Sequence, residues 1–414
     1  MVCSYCFCIL AKYFLGQSMR IIHTADWHLG QTFYGFDRGK EHAFFLDWLC
    51  GIIKEHAADL LLIAGDVFDS PNPSAEAQRV FYHFLTRVTG ENPDLQVIVT
   101  AGNHDSAARL EAPNPLLKAF GVCVSGIVHY NKAGEIDYDR MIVPLRNGGC
   151  CLAVPYLRHN DHPAAESYSE GVAKLYSELY DRAVSRGYKP IIAMGHLQAS
   201  GAEVSVGDAS EHIIIGGMEG LDAGFANSGI VYTALGHLHK AQRVAHRENV
   251  RYSGAPLPMS FAERRNRQSV TEVIVDGNNC TIEKLLFDTP VKLLSIPATP
   301  QPLENVIEEL QTLPAGDADE FAPFLEVKVK VTAVQIDMRR QIEEAIEGKR
   351  VRLARIEAVG STAEVAEGAP VTYDDFKNIE PEELIKEIYN NCSDEELDDT
   401  LVGMLKDVIK EVRK

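Results

Sequence analysis

The fold of this chain is decided by the stretch Val97-Ile98-Val99-Thr100-Ala101-Gly102-Asn103-His104-Asp105, a short apolar run that ends in a polar cluster. Four other apolar runs end in the same way, before Asp26-Trp27-His28, Gly65-Asp66, Gly195-His196 and Gly236-His237-Leu238-His239. Buried strands that each end in Gly, Asp or His are typical of the loops at one edge of an α/β sheet. Between residue 19 and about residue 288 such runs alternate with helical patterns, which predicts a layered α/β structure.

The bulk composition restricts the class of protein. The chain has 414 residues, enough for two or three domains, and 46% of them are hydrophobic, as in ordinary globular proteins. A net charge of −19 excludes a generally basic nucleic-acid binder, so a polyanionic substrate would need bound cations or local Arg and Lys to offset the repulsion. The nine cysteines form no regular framework, which favours a reduced, cytoplasmic protein.

Changes in composition along the sequence also predict the domain boundaries. We interpret residues 1–18 as a leader from a misplaced start, with Met19 as the natural first residue, because they lack the charged opening of a secretory signal. The rest divides into a main domain over 19–288, a small α+β domain over 289–360, a linker over 361–380 and C-terminal helices over 381–414. The last helix is amphipathic and would dock on its own domain or on a partner.

Two early helices carry aromatic-rich stripes. Phe44, Phe45 and Trp48 belong to an apolar set that recurs at helical spacing between residues 43 and 56. A second helix with a similar stripe is expected to begin after Ser74, a suitable N-cap residue. Both stripes are compatible with packing on the sheet or with a helical bundle between two copies of the chain.

The polar residues that end the five strands form one chemical set. They are Asp26, His28, Asp66, Asn103, His104, His196, His237 and His239. Carboxylate, imidazole and amide oxygen without thiolate suit Mn²⁺, Fe²⁺ or Zn²⁺. Since side chains alternate along an extended backbone, both members of each Asp-x-His or His-x-His pair lie on the same side. The set is larger than one ion needs, which favours two ions that share a carboxylate and act together on a water and a phosphate.

These motifs, in this order, resemble the signature of the calcineurin-like metallophosphoesterase superfamily. The resemblance covers residue 19 to about residue 275, and it is closest to the nuclease subunits of DNA break-repair complexes, as the Tyr252-Ser253-Gly254-Ala255-Pro256 stretch also indicates. It implies a four-layer α/β sandwich, with two mixed sheets flanked by helices. The small α+β domain would then cap the nuclease domain.

The resemblance also implies roles for individual residues. Asp26, His28, Asp66 and His239 would hold one ion, and Asp66 would bridge to a second ion held by Asn103, His196 and His237. His104 would lie beside the scissile phosphate and protonate the leaving 3′ oxygen. We expect Asp105 to orient His104 by accepting its other ring proton. Asp69 stands where some relatives carry a second phosphate-facing His, so no catalytic role is given to it.

The function implied in this way is a nuclease that depends on two divalent ions, Mn²⁺ or alternatively Mg²⁺. It would act as a 3′–5′ exonuclease and single-strand endonuclease at double-strand DNA ends and hairpins, in DNA repair, recombination and replication. It would form a homodimer, and its C-terminal helices would grip a coiled-coil ATPase. Arg264, Arg265 and Arg267 are candidate DNA contacts, with Arg38, Lys40 and Arg109 as further ones.

Two rival functions remain open at this stage. The first is a phosphatase, nucleotidase or small-molecule phosphodiesterase on the same fold. Ser70-Pro71 follow Asp69 where the phosphoprotein phosphatases of the superfamily continue with Asp-Arg-Gly, which weighs against that branch. The second is a non-catalytic scaffold that keeps only the fold. Every ligand position is filled in this chain, which weighs against a scaffold.

Overall fold

The computed structural model describes residues 18–200, 202, 221–331 and 337–360. The predicted leader apart from Ser18, the predicted linker and the predicted C-terminal helices therefore lie outside the described residues. Within the described residues the strands are β1 (Met19–Thr24), β2 (Thr32–Phe33), β3 (Phe36–Asp37), β4 (Leu60–Ala64), β5 (Gln96–Thr100), β6 (Val122–Ser125), β7 (Ile142–Pro144), β8 (Cys150–Ala153), β9 (Ile191–His196), β10 (Tyr232–Gly236), β11 (Gln242–Val244), β12 (Arg247–Tyr252), β13 (Ser269–Asp276), β14 (Asn279–Leu286), β15 (Leu293–Gln301), β16 (Phe324–Val331) and β17 (Arg352–Gly360). The α-helices of the same residues are α1 (Gly39–Glu55), α2 (Ala75–Glu91), α3 (Ala107–Glu111), α4 (Asn114–Leu117), α5 (Tyr168–Ser185), α6 (Leu303–Gln311) and α7 (Met338–Ala345).

Two six-stranded mixed sheets form the main body. The first has the order β14-β13-β1-β4-β5-β6, in which β1, β4, β5 and β6 are parallel and β13 and β14 are antiparallel to their neighbours. The second has the order β11-β12-β10-β9-β8-β7, with β8, β9, β10 and β12 parallel. All five predicted strands are present, as β1, β4, β5, β9 and β10. They are the central strands of the two sheets.

Successive side chains of the central strands point to opposite faces of their sheet and so pack in different layers of the core. In β4, Leu61 and Ile63 pack with helices α1 and α2, whereas Leu60 and Leu62 pack against the second sheet. The opposite face of the second sheet packs on α5. The order helix, sheet, sheet, helix confirms the four-layer sandwich. The adjacent cysteines of β8 are buried in different layers, since Cys150 faces α5 and Cys151 faces the first sheet.

Both aromatic stripes pack on the first sheet. Phe45 of α1 and Phe81 and Phe84 of α2 are buried there around Trp27. As predicted, Ser74 caps α2, and its Oγ accepts a hydrogen bond of 3.1 Å from the backbone N–H of Ala77. The stripe of α1 is only partly covered, because Phe44 is 48% exposed.

A small α+β unit follows residue 289. Strands β15, β16 and β17 form a three-stranded sheet on which α6 and α7 pack. Phe324 of β16 packs against Phe33, and their ring centroids lie 4.8 Å apart. Phe33 belongs to the β2–β3 hairpin, which continues the Asp26-Trp27-His28 loop. The small sheet is therefore joined directly to a loop that carries predicted metal ligands. No helix within the described ranges is both long and apolar enough to cross a membrane.

Candidate metal centre

The predicted ligands meet at one edge of the sandwich. Asp26, Asp66 and Asn103 follow the parallel neighbours β1, β4 and β5 of the first sheet. His196 ends β9 and His237 follows β10, which are parallel neighbours in the second sheet. The carboxyl ends of all five strands face the same edge, so residues up to 211 positions apart come into contact, as the 2.8 Å hydrogen bond from the backbone N–H of His237 to Asp26 Oδ1 illustrates.

Two glycines allow the loops to approach one another closely. A Cβ on Gly102 would lie 2.1 Å from Oδ1 of Asp66, and a Cβ on Gly65 would lie 2.2 Å from Nδ1 of His196. Real Cβ contacts are essentially never this short, so only glycine fits at either position. The Gly-Asp and Gly-Asn-His-Asp motifs therefore contain glycine for a packing reason that is separate from the metal chemistry.

Four residues of the predicted ligand set have left-handed backbone conformations. Their φ angles are 55° at Asp26, 48° at His28, 48° at Asp66 and 105° at His237. Positive φ is uncommon for residues other than glycine and costs on the order of 1–3 kcal/mol each. The loops maintain it because they are anchored in the core. Trp27, between Asp26 and His28, is fully buried and donates a 2.9 Å hydrogen bond from Nε1 to Oγ1 of Thr24.

One group of ligand atoms comes from Asp26, His28 and Asp66, which are all buried and lie within 4.8 Å of one another. Nε2 of His28 is 3.8 Å from Oδ2 of Asp66. Oδ2 of Asp26 and Nε2 of His28 are buried without any hydrogen-bond partner. Because an unpaired buried polar atom is costly, these orphaned atoms fit a site built to hold a cation.

A second group surrounds Asn103. Its Oδ1 lies 2.9 Å from Nε2 of His196 and 3.0 Å from Nδ1 of His237. Nε2 of His196 is also 3.3 Å from Oδ2 of Asp66. Asp66 therefore touches both groups, which is the arrangement that a carboxylate shared between two ions requires.

Hydrogen bonds behind the histidines fix which ring nitrogen faces the site. Nδ1 of His196 lies 2.9 Å from the carbonyl oxygen of Ala64, which accepts a proton and cannot donate one. Nδ1 of His239 lies 3.0 Å from Oε1 of the buried Glu263. In both rings Nδ1 therefore carries the proton and Nε2 is the nitrogen suited to a metal.

Burial and neighbouring charges shift the pKa values of this cluster. Burial raises the pKa of Asp26 to about 7, although His196 and His239 oppose the shift. Burial, followed by the charge of His196, lowers the pKa of His237 to about 3. Burial acts in the opposite direction on Asp66, but the neighbouring His196 outweighs it and holds the pKa of Asp66 below its usual range. Asp66 is thus kept charged and His237 neutral, the states in which each can bind a metal. Burial lowers the pKa of His196, but the charge of Asp66 outweighs it and raises that pKa to about 9, so a metal would displace a proton from this ring.

His104 lies beside the ligands. Its ring centroid is 4.8 Å from that of His28, and its backbone N–H donates a 2.8 Å hydrogen bond to Oδ1 of Asp66. Its Nδ1 lies 2.9 Å from the carbonyl oxygen of Asp69, so Nδ1 carries a proton. Nε2 is therefore the ring nitrogen of His104 at which a proton can be gained or lost.

The predicted contact between Asp105 and the ring of His104 is wrong. We expected Asp105 to accept the other ring proton of His104, but the carbonyl oxygen of Asp69 is that acceptor. The Asp105 carboxylate instead accepts hydrogen bonds from the backbone N–H groups of Gly102, Val67 and Phe68, at 2.9, 3.2 and 2.9 Å. Burial and the charge of Asp66 raise the pKa of Asp105 to about 6, while the three amide donors oppose that shift. Asp105 therefore holds two loops together and does not act on His104.

Sequence reasoning missed two further acidic residues. Asp69 has Oδ1 3.3 Å from Nδ1 of His28, and its carbonyl oxygen accepts from His104, so it lies against one imidazole and positions the other. Glu263 lies in the 3₁₀ turn Phe261–Arg265 and holds His239. The signal for Asp69 was its place in the Gly-Asp motif. Glu263 stands next to Arg264 and Arg265, and such a sequence is typical of a solvated loop.

Arg38 is excluded as a DNA contact. Its side chain is 1% exposed, and its guanidinium donates to both carboxylate oxygens of Glu41, at 3.0 and 2.9 Å, and to the carbonyl oxygen of Pro258, at 2.7 Å. The two other candidates near the site loops have acceptors of their own, since Lys40 pairs with Glu320 and Arg109 with Asn72.

The fold and this cluster define a metal-dependent hydrolase of the phosphoesterase class. The family model that describes calcineurin-like phosphoesterases matches residues 19–241. A second model, described as the type 5 capsule protein repressor C-terminal domain, matches residues 289–392.

Similar proteins of known name identify the branch of the phosphoesterases to which the chain belongs. The chain is 37% identical over 383 residues to the SbcD subunit of the SbcCD nuclease of Rhodobacter capsulatus, a match that covers 88% of this chain and 93% of the relative. It is 32% identical to the SbcD subunit of Escherichia coli K12, with 81% of this chain and 84% of the relative covered. The Bacillus subtilis protein of the same name is 33% identical over 66% of this chain and 70% of its own. The chain belongs to the SbcD family of nuclease subunits within the calcineurin-like phosphoesterases.

Proposed function

We propose that this protein is a Mn²⁺-dependent DNA nuclease that hydrolyses phosphodiester bonds at double-strand ends and hairpins, as a 3′–5′ exonuclease and single-strand endonuclease. The observation that carries the proposal is the convergence of Asp66, Asn103 and His196 with the orphaned Oδ2 of Asp26 and Nε2 of His28 at one sheet edge. Family membership supplies the reaction class, and the names of the relatives specify a nuclease, for which we propose DNA as the substrate.

The ligands divide into two sets around Asp66. We assign Asp26, His28, Asp66 and His239 to one ion, and Asp66, Asn103, His196 and His237 to the other. When bound, two divalent ions would polarise the phosphate and lower the pKa of a water. Mn²⁺ is our choice because carboxylate, amide oxygen and imidazole suit it, and Mg²⁺ is the alternative.

His104 acts on the leaving group. The Asp69 carbonyl oxygen keeps a proton on Nδ1 in every state of the ring. The proton that moves is therefore the one on Nε2, which an imidazolium gives to the departing 3′ oxygen as the P–O bond breaks. Positioned general acids of this kind typically contribute about 10²–10⁴-fold to the rate.

Residues outside the site suggest how the protein assembles. We propose a phosphoesterase domain over 19–288 and a capping domain over 289–360 that seats DNA, with a linker and C-terminal helices that bind an SbcC-like coiled-coil ATPase in the cytoplasm. A homodimer is supported by exposed apolar side chains, since Phe44 of α1 is 48% exposed and Leu116 of α4 is 73% exposed.

The test compares two substrates with purified protein, with and without Mn²⁺. One substrate is a hairpin DNA and the other is bis-p-nitrophenyl phosphate. We expect Mn²⁺-dependent cleavage of both, with the hairpin preferred. Cleavage of the small ester alone would refute the nuclease proposal and favour a small-molecule phosphodiesterase. No hydrolysis of either substrate with any divalent ion would favour a non-catalytic scaffold.

A further inference from the structure

We infer that a basic pocket on the β11–β12 hairpin holds the phosphodiester backbone of the strand that enters the metal centre. The pocket has a volume of about 510 Å³ and begins one residue after His239. It is lined by Lys240, Gln242, Arg243, His246, Glu248, Arg251 and Lys284. The inference rests on the proposed function, because the ligand is the DNA of that proposal.

The charge of this pocket is opposite to that of the molecule. Four side chains that line it are cationic at neutral pH and only Glu248 is anionic, in a chain whose net charge is −19. Arg243 and Arg251 both pair with Glu248, so one carboxylate is shared between two guanidinium groups. Burial, followed by the positive charges of Arg251 and Lys240, lowers the pKa of Lys284. The cations are thus close enough to repel one another, which an arriving phosphate would relieve.

Strand pairing fixes the pocket beside the metal ligands. Arg243 and Arg251 are directly paired across the β11–β12 ladder, and Arg251 is also registered with Ala234 of β10, the strand that leads into His237. Lys284 of the first sheet donates a 2.7 Å hydrogen bond from Nζ to the carbonyl oxygen of Ala241, two residues beyond His239. Both sheets therefore hold the start of the pocket at a fixed position relative to the His-x-His ligands.

The dimensions suit a nucleic-acid strand. The three residues of β11 span about 10 Å at roughly 3.3 Å per residue. Phosphates of one strand rise about 3.4 Å per nucleotide along the axis of B-DNA but lie farther apart along the strand itself, because the backbone winds around that axis, so this length accommodates about two of them. A single free phosphate would use only part of the pocket, whereas a strand continuing away from the centre would use all of it.

The test changes the charge of the pocket in both directions. Lys240→Gln combined with Arg243→Gln removes two cations, whereas Glu248→Gln removes the anion that two arginines share. The control Lys54→Gln with Lys189→Gln removes two exposed cations that precede β4 and β9, at the opposite ends of strands that lead to the site. For each protein, kcat/KM is measured on a fluorescent hairpin DNA at salt concentrations from about 0.05 to about 0.2 M, a range in which binding through phosphate contacts depends strongly on salt. The same proteins are assayed on bis-p-nitrophenyl phosphate.

The double variant should lose on the order of tenfold or more in kcat/KM on DNA, and its dependence on log salt should be less steep by about 1.4 to 1.8. Glu248→Gln should raise kcat/KM on DNA, and the control should match the unaltered protein. All variants should keep their activity on the small ester within about twofold, since the pocket lies outside the ligand set.

Three results would overturn the inference. The first is an unchanged kcat/KM on DNA in both pocket variants, and the second is an equal loss of kcat/KM on DNA and on the small ester. The third comes from a separate binding assay with poly-glutamate, in which the double variant no longer binds the polymer but still cleaves DNA as the unaltered protein does. The last would assign the pocket to an acidic protein segment. The proposed function fails separately, if the unaltered protein does not cleave the hairpin.

Discussion

The substitution Glu263→Gln tests whether a residue behind the metal centre controls it. Glu263 is 1% exposed, and its two carboxylate oxygens accept hydrogen bonds from Nδ1 of His239 and from the backbone N–H of Met259, both at 3.0 Å. An ionised carboxylate only accepts, so it forces the Nδ1–H tautomer of His239 and leaves Nε2 for a metal. Glutamine has nearly the same shape but presents one acceptor oxygen and one NH₂ group.

The cost of this change follows from the geometry. If the glutamine oxygen serves one of the two donors, the NH₂ group faces the other, and a buried donor without an acceptor costs about 1–3 kcal/mol. The alternative is that His239 moves its proton to Nε2, which blocks the nitrogen that would bind the metal. Loss of such a partner typically lowers metal affinity by about 10–100-fold. We expect both a lower free energy of unfolding and weaker Mn²⁺ binding at one of two sites.

A matched control is available in the same chain. Glu272 of β13 is also buried and accepts from Nδ1 of His56 at 2.8 Å and from Nη1 of Arg20 at 3.3 Å. His56 follows the end of α1, away from the carboxyl ends of the strands. Glu272→Gln should therefore lower the free energy of unfolding without changing Mn²⁺ affinity. Calorimetric titration with Mn²⁺ measures the affinity, and urea unfolding of the metal-free proteins measures the stability. Equal Mn²⁺ affinity in the two variants would refute the role of Glu263.

Three further substitutions test other parts of the account. His104→Ala should leave the Mn²⁺ content intact while lowering kcat by about 10²–10⁴-fold, and loss of metal in elemental analysis would make His104 a ligand instead. Gly102→Ala should lower the free energy of unfolding by at least about 1–3 kcal/mol and weaken Mn²⁺ binding, because the new Cβ would lie 2.1 Å from Oδ1 of Asp66. A crystal structure of the variant in which this loop has not moved would contradict the prediction. Burial lowers the pKa of His23 to about 3, so its contribution to stability is complete above the unfolded-state pKa of about 6.5 and is lost as the pH falls toward 3. His23→Gln should therefore remove about 1.4 kcal/mol per pH unit from the acid dependence of urea unfolding between about pH 6 and 4, and parallel curves for the two proteins would refute this.

The convergence of the site residues could be predicted because its signal in the sequence is local. Each ligand stands directly after an apolar run, and the carboxyl ends of neighbouring parallel strands necessarily share an edge. Asp26, Asp66, Asn103 and His196 therefore come together without any knowledge of the loops. Their assignment to particular ions stays a proposal until a metal is measured.

The positioning residues could not be predicted in this way. Asp105 lies next to His104 in sequence, which suggested a contact, but its direction depends on how the loop after β4 packs against the loop after β5. Its carboxylate meets three backbone amides there. Glu263 is 24 residues from His239, and only the turn that buries it brings them together. Arg38 shows the reverse case, in which a basic residue near a site loop forms a buried ion pair.

The pairing partners of the central strands were also outside the reach of pattern reasoning. Strands β6, β7 and β8 are only three or four residues long, too short for a clear period of two. The basic pocket beside His239 depends on the pairing of β11 with β12 and on Lys284 from the other sheet. Its residues are dispersed over 45 positions of a strongly acidic chain, counting from 240 to 284.

Anomalous diffraction from crystals soaked in Mn²⁺ would show how many ions the centre binds and which side chains bind them. We predict two peaks separated by about 3.5–4 Å, the spacing typical of two-metal hydrolases, with the Asp66 carboxylate between them and His104 bound to neither. A single peak, or a peak bound by His104 together with His28 and Asp69, would contradict the two-ion centre and the role of His104 as the proton donor.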